Sequence, residues 1–300
     1  MSNMMLHRLL SRWRIEPPPE DLPGLFSREA LQRAWRSVRA NKGGPGVDGI
    51  SIQKFERDLD THLSELQREL ISGTYKPRPV RRVLVPKPNG GLRPLAMWAL
   101  RDRVAQRVVY EYLEPIFEPV FLDCSYGFRP GRGVADAVER VRLHREANRR
   151  WVLDADIKNC FDQIDAGILM RLTRQRVRHK AVLRLIRNWL DAEIFNSVDG
   201  RPARAGASQG SVLAPMLSNI YLHDFDQRLI RQGYHLVRYA DDLVILCRRK
   251  QGAHQAYRDA TRALKQLRLQ LHPEKTQIVH FDEGFKFLGY FFLRNEVFRL

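Results

Sequence analysis

The sequence predicts an α+β fold in which helices cover one face of a sheet, and three observations point to it. Short runs rich in Val, Leu and Ile, bounded by Gly, Pro or Asp, have the composition of strands. Longer stretches between them carry apolar residues at helical spacing. The two kinds interleave along the chain with no internal repeat and no linker that divides it cleanly. With 300 residues, 44% of them hydrophobic, the chain can bury a real core.

Residues 1–23 read as a flexible leader ending in Pro17, Pro18 and Pro19, which a helix interior rejects. Ser27 can cap a helix through Leu31, Ala34, Trp35 and Val38 that stops at Asn41–Lys42–Gly43–Gly44. The run GGPGVDGIS is turn chemistry, and a second helical pattern follows from Ile52 to about Ile71. Arg81 to Val85 suggests a strand, then a Gly-Gly turn at 90–91 and a short strand from Leu92 to Leu95. A long helix fits Arg101 to Phe117, with Val104, Val108, Tyr112 and Leu113 on one face.

The second half continues the pattern. Trp151 to Ile157 is a strand, and Ile168 to Leu190 and Ser211 to Ile230 are helices. Leu236 to Leu246 splits into two short strands around Asp241–Asp242, His254 to Leu269 is helical, and Phe285 to Phe292 is a final aromatic strand. Trp35, Trp98 and Trp189 read as core, and the basic run Arg171 to Lys180 as a solvated helix face.

Charge gives the first functional hint. Lys and Arg number 51 against 34 Asp and Glu, a net +17 that suits a partner with a phosphate backbone, though a basic solvated surface would look the same. Cys124, Cys160 and Cys247 are too far apart for a metal-ligand spacing and odd in number, so a reducing compartment is expected. The opening residues lack the apolar run of a signal peptide or membrane span, which makes a cytoplasmic protein the expectation.

Three carboxylates stand inside apolar strands: Asp156 in WVLDAD, and Asp241 with Asp242 between VRYA and LVIL. Burying a carboxylate without compensation is costly, so a cation is the natural partner. Mg²⁺ takes oxygen ligands and often uses one or two carboxylates plus substrate phosphates. Taken alone, an Asp-Asp pair is also an ordinary turn.

The surrounding segments decide between these. YADD (239–242) resembles the catalytic hairpin of reverse transcriptases. DIKNCFDQID (156–165) resembles the first catalytic segment of the group II intron and related bacterial lineage. PKPNGGLRPL (86–95) resembles its fingers hairpin, SYGFRPGRG (125–133) the next segment, and SQGSVLAPMLSNIYL (208–222) the nucleotide- and template-positioning segment. LHPEKT and FLGY resemble the closing palm segments, and GGPGVDGIS the amino-terminal extension. These similarities run in the family's order over about residues 40–292.

The resemblance implies a right-hand polymerase palm and fingers, with residues 24–150 as extension and fingers together with part of the palm, and 151–300 as palm with the catalytic hairpin and primer-grip strand, the thumb being absent, truncated or supplied by a partner. It implies RNA-directed DNA synthesis: dNTPs joined to a DNA or RNA primer on an RNA template, with two Mg²⁺ ions for which Mn²⁺ can substitute. Asp156, Asp241 and Asp242 would hold the metals with the backbone carbonyl of Ile157. Phe161 would sit beneath the incoming sugar and exclude a 2′-hydroxyl, although the residue alone reads as a core aromatic. Lys87 and Arg93 would clamp the triphosphate. Gln209 and Gly210 would form the nucleotide pocket, and Lys275 would protonate the pyrophosphate unless it is a solvated turn residue. Arg129 and Arg132 would hold template phosphates, and Phe287–Leu288–Gly289 the primer, where an edge strand would look the same. The lineage includes intron-encoded, CRISPR-linked and phage-defence enzymes, among which these motifs do not choose. Rival readings are an RNA-binding maturase or scaffold with a vestigial palm, and a DNA-templated or template-independent polymerase.

Overall fold

The computed structural model describes residues 21–86, 90–195, 203–207 and 210–300. The described chain opens with α1 (Leu22–Leu25) and α2 (Arg28–Ala40), the second capped by Ser27, whose hydroxyl accepts from the Ala30 amide. Leu31, Ala34, Trp35 and Val38 are buried, as their spacing requires. The helix expected from Ile52 to Ile71 is two, α3 (Ile52–Arg57) and α4 (Leu59–Ser72), because Asp58 leaves helical geometry between them. Gly73 ends α4 in the left-handed conformation that glycine takes without strain.

β1 (Val80–Pro86) and β2 (Leu92–Met97) form an antiparallel hairpin with Val83 opposite Leu95. α5 (Leu100–Phe117) follows, then α6 (Val134–Glu146), a helix with no counterpart in the sequence reading. Next come β3 (Trp151–Asp156), the single turn α7 (Cys160–Gln163), α8 (Ala166–Arg174) and α9 (Lys180–Leu190). One helix was expected over Ile168–Leu190. Arg171, Arg174 and Arg178 would repel along one face of it at third- and fourth-residue spacing. The chain breaks there instead and drops Val177 into the core.

β4 (Glu193–Phe195) runs parallel to β1, and β5 (Ala203–Arg204) completes a four-stranded fingers sheet in the order β2-β1-β4-β5. α10 (Ala214–Arg231) leads to β6 (His235–Tyr239) and β7 (Asp242–Cys247), then α11 (Lys250–Gln266) and β8 (Gln277–His280). The expected single aromatic strand is a hairpin, β9 (Phe285–Phe287) and β10 (Tyr290–Leu293), extended by β11 (Glu296–Arg299). Leu288 and Gly289 both have positive φ, 53° and 78°, which turns the chain back between them.

The palm is the antiparallel sheet β6-β7-β3-β8. Its central strands β3 and β7 carry apolar residues on both faces, so both faces need cover, and both have it, where one covered face was expected. Leu153, Ala155, Leu243 and Ile245 pack against the alanine stripe of α11 and against α10. Val152, Val244, Leu246 and Val279 face α6 and the rings of Phe281, Phe285 and Phe292. Phe285 and Phe292 stack with centroids 5.0 Å apart. Each such buried ring contributes about 1.5–3 kcal/mol. The three cysteines are free and buried. Among the described residues no helix is long and apolar enough to cross a membrane.

Candidate active site

Strand register builds the acidic centre. Asp156 closes β3, and its Cα partner across the ladder is Asp242, the first residue of β7. Side chains alternate along strands, so Asp156 and Asp242 lie on the same face as Val152 and Val244, at the end the aromatic hairpin leaves open. Between β6 and β7 the chain turns through Ala240, whose φ is +57°, and Asp241. The Ile157 amide donates to the Asp241 carbonyl at 3.1 Å and ties the turn to β3.

Three carboxylates so placed disturb one another. Burial, then Asp241 and Asp156, pushes the Asp242 carboxyl up to about 7. Asp154, one pleat back, is pushed up to about 6 by burial although Gln277 donates to it at 2.9 Å. Lys275 offsets part of this charge with its ammonium 3.1 Å from Asp156 Oδ2. The His272 amide donates to the Asp156 carbonyl at 2.7 Å and brings that lysine's segment alongside β3. Among the described residues no His, Cys, Asp or Glu group is gathered tightly enough to cage a metal ion by itself. Hard oxygen donors in mutual repulsion, open to a cavity, still fit Mg²⁺, which commonly completes its shell with water and substrate phosphates.

The cavity holds about 560 Å³. Asp156, Asp241 and Asp242 line it together with Ile157, Phe161 and Lys275, so six of the expected residues meet in one place. Phe161 sits on α7, launched by Asn159 at φ +47°, and is 8% exposed. Pro94 enters from the fingers, and Phe128, Tyr239 and His272 join from the motif segments, as residues to which the sequence reading gave no role of their own.

Beneath the turn lies a charge the sequence reading passed over. Arg238 is fully buried on β6 and pairs with Asp226 through Nε at 2.7 Å and Nη2 at 2.6 Å. It also donates to Ser125 Oγ, Asn219 Oδ1 and the Ala240 carbonyl. An arginine inside an apolar strand signals a buried partner by the same logic that singled out the aspartates. Asn219 in turn donates to the Gly127 carbonyl at 2.9 Å. Any Cβ on Gly127 would lie 2.5 Å from the Ala240 nitrogen, so the 125–128 loop and the β6–β7 turn are in backbone contact.

The remaining expectations divide. Arg129 is buried, with its guanidinium taken up by Glu118 and by the Leu122 and Ser125 carbonyls, so it fastens the loop rather than reaching for phosphate. Arg132 is nearer solvent and pairs with Asp123 at 2.6 Å. Gly210 has φ +107°, and a Cβ there would overlap the Ala96 carbonyl oxygen of β2, so the chain passes close against the fingers strand. Lys87 and Gln209 lie outside the described residues, and Arg93 contributes its backbone position on β2 opposite Val85. Phe287 is buried against the palm, and Leu288–Gly289 form the hairpin turn; none of the three lines the cavity.

Comparison with known proteins accords with this geometry. A family described as reverse transcriptase (RNA-dependent DNA polymerase) matches residues 85–292. Protein YkfC of Escherichia coli K12 is 34% identical over 335 residues, covering 97% of this chain and 88% of that protein. Group II intron-encoded protein LtrA of Lactococcus lactis subsp. cremoris is 34% identical over 200 residues, 66% of this chain and 33% of LtrA. The structure of apo telomerase from Candida tropicalis aligns with a TM-score of 0.56 at 15% identity, over 79% of this chain and 59% of that one. Telomerase from Candida albicans aligns at 0.53 and 14%, over 80% and 48%. At such identities the telomerases attest the fold alone, and this chain spans a third of LtrA and about half of each telomerase chain. With an α+β palm and fingers carrying the acidic triad, the chain belongs to the reverse transcriptase (RNA-dependent DNA polymerase) family.

Proposed function

We propose that this chain extends the 3′ end of a DNA or RNA primer with dNTPs along an RNA template, using Asp156, Asp241 and Asp242 to hold two Mg²⁺ ions. One observation carries the reading: strand register gathers the three carboxylates on the wall of one open cavity, with Phe161 alongside. When bound, the ions would lower the pKa of the primer hydroxyl and neutralise the departing pyrophosphate.

The chain's own residues do the rest. Phe161 offers an apolar wall whose bulk would leave no room for a ribose 2′-hydroxyl. Lys87 and Arg93 hold triphosphate oxygens, and Gln209 and Gly210 form the nucleotide pocket. Lys275, whose ammonium stands 3.1 Å from Asp156 Oδ2, would give a proton to the departing pyrophosphate. The Ile157 carbonyl completes the donor set. Arg132 serves the template strand and the Leu288–Gly289 turn the primer strand. The fingers draw on residues 24–150 and on β4 and β5, and the palm on the rest of 151–300; the working compartment is the cytoplasm.

Primer extension on a defined RNA template with Mg²⁺ and dNTPs tests this, beside an Asp241→Ala/Asp242→Ala control. Extension by wild type alone is expected. Equal extension by the control, or extension on DNA templates only, overturns the reading.

A further inference from the structure

Phe128 has three properties that a purely structural phenylalanine avoids. It is 49% exposed and belongs to neither hydrophobic cluster of the core. Its φ is +59°, the left-handed region in which a bulky side chain is a genuine outlier. Its ring lines the cavity that holds the three aspartates.

The strain is imposed from both sides. Before it, the Tyr126 amide donates to the Arg238 carbonyl at 2.8 Å, and Asn219 holds the Gly127 carbonyl. After it, the buried Arg129 guanidinium fastens the loop to the Leu122 and Ser125 carbonyls. Between these anchors the Phe128 ring stands 6.2 Å from that of Tyr239. Asn159 and Ala240, also left-handed, line the same cavity, so strained backbone is gathered at this site. Strain persists where surrounding structure over-determines it and function uses it.

We propose that Phe128 is a nucleobase-contacting platform, its ring taking the free face of an unpaired template base at the end of the primer–template duplex. This rests on the polymerase reading above. Because Arg129 is spent internally, the loop's offering to nucleic acid at this point is aromatic rather than ionic. Contact of this kind tolerates any sequence, since every base has a π-face.

The test is binding of a labelled RNA–DNA primer–template hybrid, followed by anisotropy over a range of salt, for wild type, Phe128→Ala, Phe128→Gly and Phe128→Trp. Loss of the ring in the Ala and Gly variants is expected to weaken binding about tenfold, with the salt slope unchanged because no phosphate contact is removed. Trp should stay within about twofold of wild type, since it restores the aromatic face. Thermal melting separates structure from binding: the Gly variant should melt at or above wild type, because glycine adopts positive φ without strain. Wild-type affinity in the Ala and Gly variants, Trp binding as weakly as Ala, or a Gly variant melting well below wild type would each overturn the proposal. Wild type that neither binds nor extends the hybrid defeats the polymerase reading itself, whereas wild type that extends beside unaffected variants defeats this inference alone.

Discussion

Arg238 donates to the main-chain carbonyl of Ala240 at 2.9 Å from a fully buried position, so the left-handed turn that presents Asp241 is held from beneath by a charge. The guanidinium is balanced by Asp226 and saturated by Asn219 and Ser125. Removing one member of a buried ion pair leaves the other unpaired, typically at about 3–5 kcal/mol. Arg238→Ala and Asp226→Ala should each lower stability by that order, and the double variant by clearly less than the sum. Urea unfolding of the four proteins checks this. Additive losses would mean the pair does not act as a unit.

Asp102 gives the fold a pH dependence whose sign can be worked out. It is fully buried, accepts from the Tyr75 hydroxyl at 2.6 Å and the Arg78 amide at 3.1 Å, and is pushed by burial up to about 6. The folded protein therefore keeps a proton that the unfolded chain releases near 3.8. The stabilisation is full below about pH 4 and is lost as pH rises through about 6. At about 1.4 kcal/mol per decade of proton affinity, the loss is on the order of 3 kcal/mol. Asp102→Asn cannot titrate, and any hydrogen bond it loses offsets its curve by a constant. The stability difference between wild type and this variant should change by that amount between about pH 4 and about pH 7.5. Parallel curves would show that Asp102 is ionised throughout.

Gly127 and Gly210 are sites where backbone meets backbone. A methyl on Gly127 would press on the Ala240 nitrogen, and one on Gly210 on the Ala96 carbonyl. Gly131 also has positive φ, +68°, but opens onto empty space. Alanine at each of the first two should cost about 1–3 kcal/mol of overpacking and lower kcat/KM for extension at least tenfold. Alanine at Gly131 meets only the left-handed backbone penalty, about 1–2 kcal/mol, and should leave kcat/KM near wild type. Equal kinetic losses at all three positions would show that the close approaches have no bearing on extension.

Residues that signal locally were legible in the sequence, and those whose meaning depends on distant partners were not. Ser27 before an apolar stripe, and Asp241–Asp242 between two apolar runs, carry their structure within a few residues. The partners of Arg238 lie 12, 19 and 113 residues away, and no periodicity connects them. Arg129 reads as a phosphate ligand because it sits in a basic, glycine-containing loop. Glu118, eleven residues earlier, takes it out of play only once the helix end has curled back. The split of the aromatic strand depended on Leu288 adopting a left-handed φ that leucine rarely shows, a choice enforced by packing of Phe285, Phe287 and Phe292 rather than by the residue itself. The second covered face of the palm was implicit in the unbroken apolar run Leu243–Cys247 of β7, which alternation alone does not produce.

Phe161 is 8% exposed and borders the same cavity as Asp156, which is where a side chain discriminating between sugars must stand. Its exclusion of ribose would be steric, so shortening it should admit the 2′-hydroxyl while leaving dNTP use largely intact. Phe161→Val and Phe161→Ala should narrow the preference for dNTPs over rNTPs by roughly tenfold to a hundredfold, the range of shape discrimination in an apolar pocket. The Ala variant also opens a buried site, at about 3–5 kcal/mol, so Val is the safer comparison where stability is marginal. Single-turnover extension with each nucleotide set measures the ratio directly. If Val retains the wild-type preference while its kcat with dNTPs is unchanged, Phe161 is a packing residue and the sugar is selected elsewhere.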